Sequence, residues 1–157
     1  MNNKASTNIE NDRKTVIITG ASRGIGHHTA KCFLDRGWQI ITCSRDDVPA
    51  ECKRDPNWTN HFPADLSDPK SVAAFVEAVN DIVGDGPVHA LVNNAGLSPK
   101  SPHKERLGCL NGDLDAWQEV FELNLFAALR LSRGFASALH RGHGSIVNMT
   151  SIAGHKI

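Results

Sequence analysis

The chain has 157 residues, 40% of them hydrophobic, and Lys plus Arg and Asp plus Glu both number 17, for a formal net charge of +0. That length and apolar content suit one domain with a buried core, and balanced charge without a long basic run argues against nucleic acid or anionic membrane as partners. No apolar stretch approaches the roughly 18 residues that a membrane span needs, so a cytoplasmic protein is expected.

Met1 to Arg13 is polar with no apolar signal region and reads as a disordered tail. Short apolar runs then alternate with helical patterns. Thr15–Thr19 is a predicted strand, followed by a glycine-rich turn and a helix from Gly24 to about Asp35, with Gly37 suited to its C-cap. Gln39–Cys43 and His61–Ala64 are the next strands. Ser67 or Asp68 can cap a helix that has Pro69 in its first turn and Val72, Phe75, Val76 and Val79 on one face. Gly84-Asp85-Gly86-Pro87 ends it, and Ala90–Val92 is the fourth strand. A long loop, Leu97–Gly112, precedes one amphipathic helix from Asp113 to Leu139. Trp117, Val120, Phe121, Leu125, Ala128, Leu131, Phe135 and Ala138 form its expected core stripe. Ser145–Met149 is the fifth strand. Such alternation implies βαβ units.

Thr19-Gly20-Ala21-Ser22-Arg23-Gly24-Ile25-Gly26 is the segment richest in chemical content. Glycine permits a tight turn and close backbone approach to a diphosphate, and a helix opening there aims unpaired N–H groups at the phosphates. Cys32, Cys43, Cys52 and Cys109 form no CxxC pair and read as free thiols, with Cys43 in a strand and Cys32 in a helix as small buried apolar groups. The adjacent His27 and His28 diverge by about 100° on a helix and do not suggest a metal site. His140 and His143 suit a helix C-terminus.

The glycine turn, Asp65-Leu66, Asn93-Asn94-Ala95-Gly96, the helical Asn124 and strand-end Ser151 with Gly154 three residues on follow in an order that resembles the short-chain dehydrogenase/reductase family. The resemblance runs from Lys14 to Ile157 and implies a Rossmann-like, doubly wound parallel sheet over residues 14–157. It implies that Gly20, Ser22, Arg23, Gly24, Ile25 and Gly26 hold a diphosphate and ribose, and that Asp65 and Leu66 contact adenine. Asn94, Ala95 and Gly96 would line the nicotinamide ribose. Ser151 would be catalytic, and Asn124 would bend its helix and hold a relay water. Ser44 stands where NAD-preferring relatives carry Asp, with Arg45 next to it, so NADP(H) is the expected cofactor; Asp46 keeps NAD(H) as the second choice. The implied activity is a 3-oxoacyl-reductase-like exchange between a small-molecule carbonyl and an alcohol in a homo-oligomer, with no metal.

One family element is missing, because the Tyr-x-x-x-Lys motif has no counterpart and the sequence contains no tyrosine (Tyr 0). The chain therefore reads as an N-terminal fragment, cut after the fifth strand and catalytically inactive by itself. A non-catalytic nucleotide-binding or partner-binding protein that truly ends at residue 157 is the alternative.

Overall fold

The computed structural model describes residues 13–46, 58–98, 100 and 113–151. The expected tail up to residue 12, Cys52, Cys109, most of the Leu97–Gly112 loop and Gly154 lie outside the described residues. Five parallel strands form one sheet in the order β3-β2-β1-β4-β5. They are β1 (Thr15–Thr19), β2 (Gln39–Ser44), β3 (Asn60–Pro63), β4 (Ala90–Asn93) and β5 (Ser145–Asn148). Each lies within a residue of its expected bounds.

All five residues of β1 are buried, because helices cover both faces of the sheet. The period of two along a strand divides the core. Val16 and Ile18 pack with Ala30 of α1 (Gly24–Leu34), Ile40 and Trp58. Ile17, Ile41 and Leu91 point to the other face, against Val72, Phe75 and Val79 of α2 (Pro69–Val83) and against Leu131 and Phe135. Fully burying one such side chain stabilises the fold by about 1.5–3 kcal/mol. The sheet is thus doubly wound, and the strand order reverses between β1 and β4.

Local signals place the helix ends. Gly37, at φ +75°, donates its N–H to Leu34 O at 2.8 Å and turns the chain into β2. Asp68, not Ser67, caps α2 by accepting from Lys70 N–H at 3.0 Å, with Pro69 in the first position.

The single long helix expected from Asp113 to Leu139 is instead broken twice. It comprises α3 (Leu114–Phe121), a π-helical turn (Glu122–Phe126), α4 (Ala127–Gly134) and α5 (Ala136–Arg141). In the π turn Ala127 N–H bonds to Glu122 O, one residue further back than in an α-helix. That extra residue shifts the helical face by about 100°. The expected stripe fails at Phe121 and Leu125, which are 54% and 53% exposed while Leu123 and Ala127 are buried instead, but its later members Leu131, Phe135 and Ala138 are buried as expected. The second break falls at Phe135, with φ −102° and ψ 6°, next to Gly134, where a Cβ would meet Val76 Cγ1 at 2.7 Å.

The outer edge of the described sheet is β5, where Ile146, Val147 and Met149 are each 45% exposed. An apolar edge strand pairs readily with other chains. The 157-residue polypeptide expressed by itself is expected to associate, and size-exclusion chromatography showing a monodisperse monomer would refute this.

Both described cysteines are free thiols, but only Cys43 is buried; the expectation of burial fails for Cys32, which is exposed on the outer side of α1. Burial pushes the Cys43 thiol from 9.0 up to about 12, against a smaller lowering by its backbone hydrogen bond with Gly20. Because the unfolded thiol ionises first, this site's contribution to stability falls as pH rises above 9.0. A thiol reagent at about pH 8 should modify Cys32 quickly and Cys43 only after denaturation. Peptide mapping would show the reverse, or equal labelling, if β2 is not closed over Cys43.

Among the described residues there is no group of three or more His, Cys, Asp or Glu that could hold a metal ion. Nor is any helix of the described residues long and apolar enough to cross a membrane.

Candidate active site

The strand-order reversal opens a crevice at the carboxyl ends of β1 and β4, where ligands bind in sheets of this type. The turn from β1 into α1 forms one wall. Gly20 and Gly24 have φ of +66° and +59°, the left-handed region that favours glycine. At Gly24 a Cβ would meet nothing within 4 Å, so the bare backbone faces open space. At Gly26 a Cβ would collide with Gly20 O and Asn94 Nδ2, which makes this glycine a packing requirement between helix and strand.

Unlike α2 and α3, α1 has no side-chain cap: Arg23 at its N-cap makes no such bond, and its first turn holds no acidic residue. Its N–H groups and positive dipole end therefore remain available to an anion. The expected phosphate cradle fits these residues on three counts, namely the two left-handed glycines, the open space at Gly24 and the uncapped helix.

The cradle is locked to the neighbouring strand. Asn94 Nδ2 donates to Thr19 O at 2.9 Å and to Gly20 O at 3.2 Å. The buried Thr19 hydroxyl accepts from the N–H groups of Asn94 (3.0 Å) and Ala95 (2.9 Å). The sequence shows Thr19 only as the first residue of the glycine motif and gives its hydroxyl no role. Asn94 is consequently a latch between β4 and the glycine turn, and the Asn94–Gly96 backbone forms the partition between two cavities.

The first cavity, about 220 Å³, is lined by Gly20, Ser22, Arg23, Ser44, Arg45, Asp46, Asp65 and Leu66 together with Asn94, Ala95 and Gly96. Asp65 Oδ1 accepts from Ser67 Oγ at 2.7 Å and from Ser67 N–H at 3.0 Å. The Ser67 hydroxyl does most to hold Asp65 below the usual carboxylate range; partial burial opposes it, while the Ser67 N–H and the Arg45 guanidinium add to it. A lowered folded value means that this turn is stabilised above the unfolded value of 3.8 and loses that contribution as pH falls through the folded one.

The second cavity, about 790 Å³, has Ile25, Asn94, Ala95, Gly96, Asn124 and Ser151 among its lining, with Asn148, Met149 and Thr150 from the end of β5. Asn124 sits in the π turn, and its carboxamide pairs with one backbone unit: Leu97 N–H donates to Oδ1 at 2.9 Å and Nδ2 donates to Leu97 O at 2.8 Å. The floor is braced by Asn93 Nδ2 donating to Asn148 Oδ1 at 2.8 Å, across the β4–β5 pairing. Neither Asn93 nor Asn148 is legible as a brace without knowing that register.

Of the residues expected at the site, the two cavities gather all but Gly24, whose backbone faces open space at the start of α1, and Gly26, which packs between helix and strand. Together they make one groove crossing the sheet end, with cationic Arg23 and Arg45 toward one side and Ser151 and Asn124 toward the other.

This arrangement is shared widely. The profile of the family described as short chain dehydrogenase matches residues 14–157. The chain is 44% identical to Protein FixR of Bradyrhizobium diazoefficiens over 92% of its own length and 52% of that protein's. It is 34% identical to the Ketoacyl reductase HetN of a Nostoc species, over 91% of this chain and 49% of that one. An oxidoreductase of the short chain dehydrogenase/reductase family from Brucella ovis, solved with a partially ordered NAD, superposes with a TM-score of 0.84 at 41% identity, covering 93% of this chain and 66% of that chain. The chain spans about half the length of the curated relatives it matches. With the glycine turn, the parallel sheet and the profile match coinciding over the same residues, the chain belongs to the short-chain dehydrogenase family.

Proposed function

We propose that this sequence forms the cofactor-binding part of an NADP(H)-dependent oxidoreductase that interconverts a small-molecule carbonyl and a secondary alcohol. The observation that carries the reading is the single groove in which an uncapped helix N-terminus and glycine cradle lie between a cationic cavity and one reached by Ser151. Gly20 to Gly26 would hold the diphosphate, Asp65 and Leu66 the adenine, and Asn94–Gly96 the ribose next to the nicotinamide. Bound there, the cofactor supplies or accepts a hydride at the carbonyl carbon.

Ser151 would donate its hydroxyl to the reacting oxygen, where negative charge develops, and so stabilise the transition state more than the ground state. Asn124, with its carboxamide held by Leu97, keeps the π turn in place beside that cavity. In the family the proton comes from the Tyr of the Tyr-x-x-x-Lys motif, which has no counterpart in this sequence (Tyr 0), so the 157-residue chain alone is expected to show no turnover. A 3-oxoacyl-type substrate is supported by the likeness to a Ketoacyl reductase.

Preference for NADP(H) is supported by Arg23 and Arg45 lining one cavity with the buried, neutral Ser44 at the end of β2. NAD(H) is the second reading, favoured by the NAD in the Brucella ovis structure. A charge-assisted hydrogen bond contributes about 1.5–3 kcal/mol, so Arg45→Ala in the full-length protein should weaken NADPH binding by about tenfold to a hundredfold and leave NADH nearly unchanged. Equal losses for both cofactors would support the second reading.

A further inference from the structure

A third concavity, about 540 Å³, lies between α2 and α4 and shares no residue with the two cavities of the active site. Val72, Ala73 and Val76 give it an apolar floor. Asn80 Nδ2 donates to Gly134 O at 3.4 Å and ties the two helices together. Along the α2 rim stand Glu77 and Asp81, four residues apart and both exposed; along the α4 rim stand Arg130 and the exposed Arg133. The rims do not neutralise each other. Among the described residues the single ion pair joins Arg130 to Glu122 of the π turn, at 2.7 Å, which leaves Glu77, Asp81 and Arg133 without a charged partner there.

An apolar ridge runs beside the basic rim. Phe121 and Phe126 are 54% and 41% exposed. They lie five residues apart across the π turn, where the bonding interval is also five, so both rings fall on nearly one side of the helix. Arg130 follows on that side, its guanidinium carbon 5.6 Å from the centroid of the Phe126 ring. Aromatic rings are enriched in protein contacts, with polar groups at the rim.

From this juxtaposition we infer that the α2–α4 groove is the surface by which two copies of this chain pair about a two-fold axis running along the groove. The helices set the register. Each precedes a parallel strand, so both run in one direction, and a Cβ on Gly134 would meet Val76, which makes those two residues level. Counting back at the common rise per residue, Arg133 is level with Glu77, and Phe126 with Pro69. A half-turn about the groove lays the α4 rim of each copy on the α2 rim of the other. Arg133 then meets Glu77, with Asp81 one turn beyond, and Phe126 is seated on Pro69 and Ala73.

The charge pattern selects a second copy over a foreign partner. A partner of one sign would be drawn to one rim and repelled by the other, whereas two acidic and two basic groups on opposite rims are complementary to themselves after the half-turn.

Sedimentation of the full-length protein tests this, since it reads mass without reference to cofactor or turnover. Arg133→Glu and Glu77→Arg, both at exposed positions, should each raise the dissociation constant of the pair by about tenfold, because each turns two symmetric attractions into repulsions. Mixed one to one, the two variants should recover the wild-type constant within about threefold: the mixed pair sets the new carboxylate against the new guanidinium and keeps the native contact at the other symmetric position. In a larger assembly the same step is read as a halving of mass. A misfolded variant would not be rescued by mixing. Three results would each overturn the inference: a wild type that is monomeric at every concentration, variants that associate as the wild type does, and a mixture no stronger than its components, the last leaving the groove to a foreign protein.

Discussion

Turnover of the full-length protein should fall by about a hundredfold to a thousandfold on Ser151→Ala, the loss typical for removing one hydrogen-bond donor at a developing oxyanion. Ser151 follows β5 and lines the larger cavity with Asn124, whereas the cradle, Arg45 and Asp65 line or back the smaller one. Cofactor affinity should therefore change little. Lower kcat with an unchanged dissociation constant for the cofactor is the signature of a contact made in the transition state. Steady-state kinetics alongside cofactor titration would check both halves, and near-normal kcat would reduce Ser151 to a turn residue.

Gly26→Ala should remove cofactor binding through a different physical cause. The added methyl would collide with Gly20 O, a backbone atom, and with Asn94 Nδ2, which is already committed to Thr19 and Gly20. Neither can yield without opening the latch that holds the cradle against β4. Overpacking of this kind costs about 1–3 kcal/mol of stability. Loss of the cradle's shape should weaken binding of either cofactor by about a hundredfold, equivalent to about 2.7 kcal/mol. Calorimetric titration would show it. An alanine variant that binds normally would mean that the turn is held less tightly than Asn94 and Thr19 indicate. The contrast with Gly24 is instructive, since the space there is open and only the left-handed φ resists substitution.

These two residues also show what was legible before any coordinates. Gly26 could be read because backbone collisions leave a compositional mark, and Ser151 because it belongs to an ordered series of motifs. The strand positions were readable for a similar reason: a parallel sheet covered on both faces writes short, nearly continuous apolar runs such as Val16-Ile17-Ile18. The π turn was not readable. The apolar pattern continues through Phe121 and Leu125 at helical steps without marking the extra residue that moves those side chains out to solvent; only Asn124, expected from the family resemblance to bend its helix, falls within that turn. Thr19, the Asn93–Asn148 brace and the contact of 2.9 Å between Thr42 Oγ1 and His61 Nδ1 depend on strand register, which puts Thr42 opposite His61 and Asn93 opposite Asn148. A lone polar residue in a strand gives no sign of its partner. Cys32 illustrates the converse, a residue type common in cores that here lies on the outer side of its helix.

A crystal structure of the full-length protein soaked with NADPH tests the proposed groove most directly. The diphosphate is expected against the N–H groups at the start of α1 beside Gly24, the 2′-phosphate at Arg45 and Ser44, the adenine at Asp65 and the nicotinamide in the cavity of Asn124 and Ser151. Density for the cofactor elsewhere, or with its nicotinamide end at Arg45, would contradict the assignment of the groove.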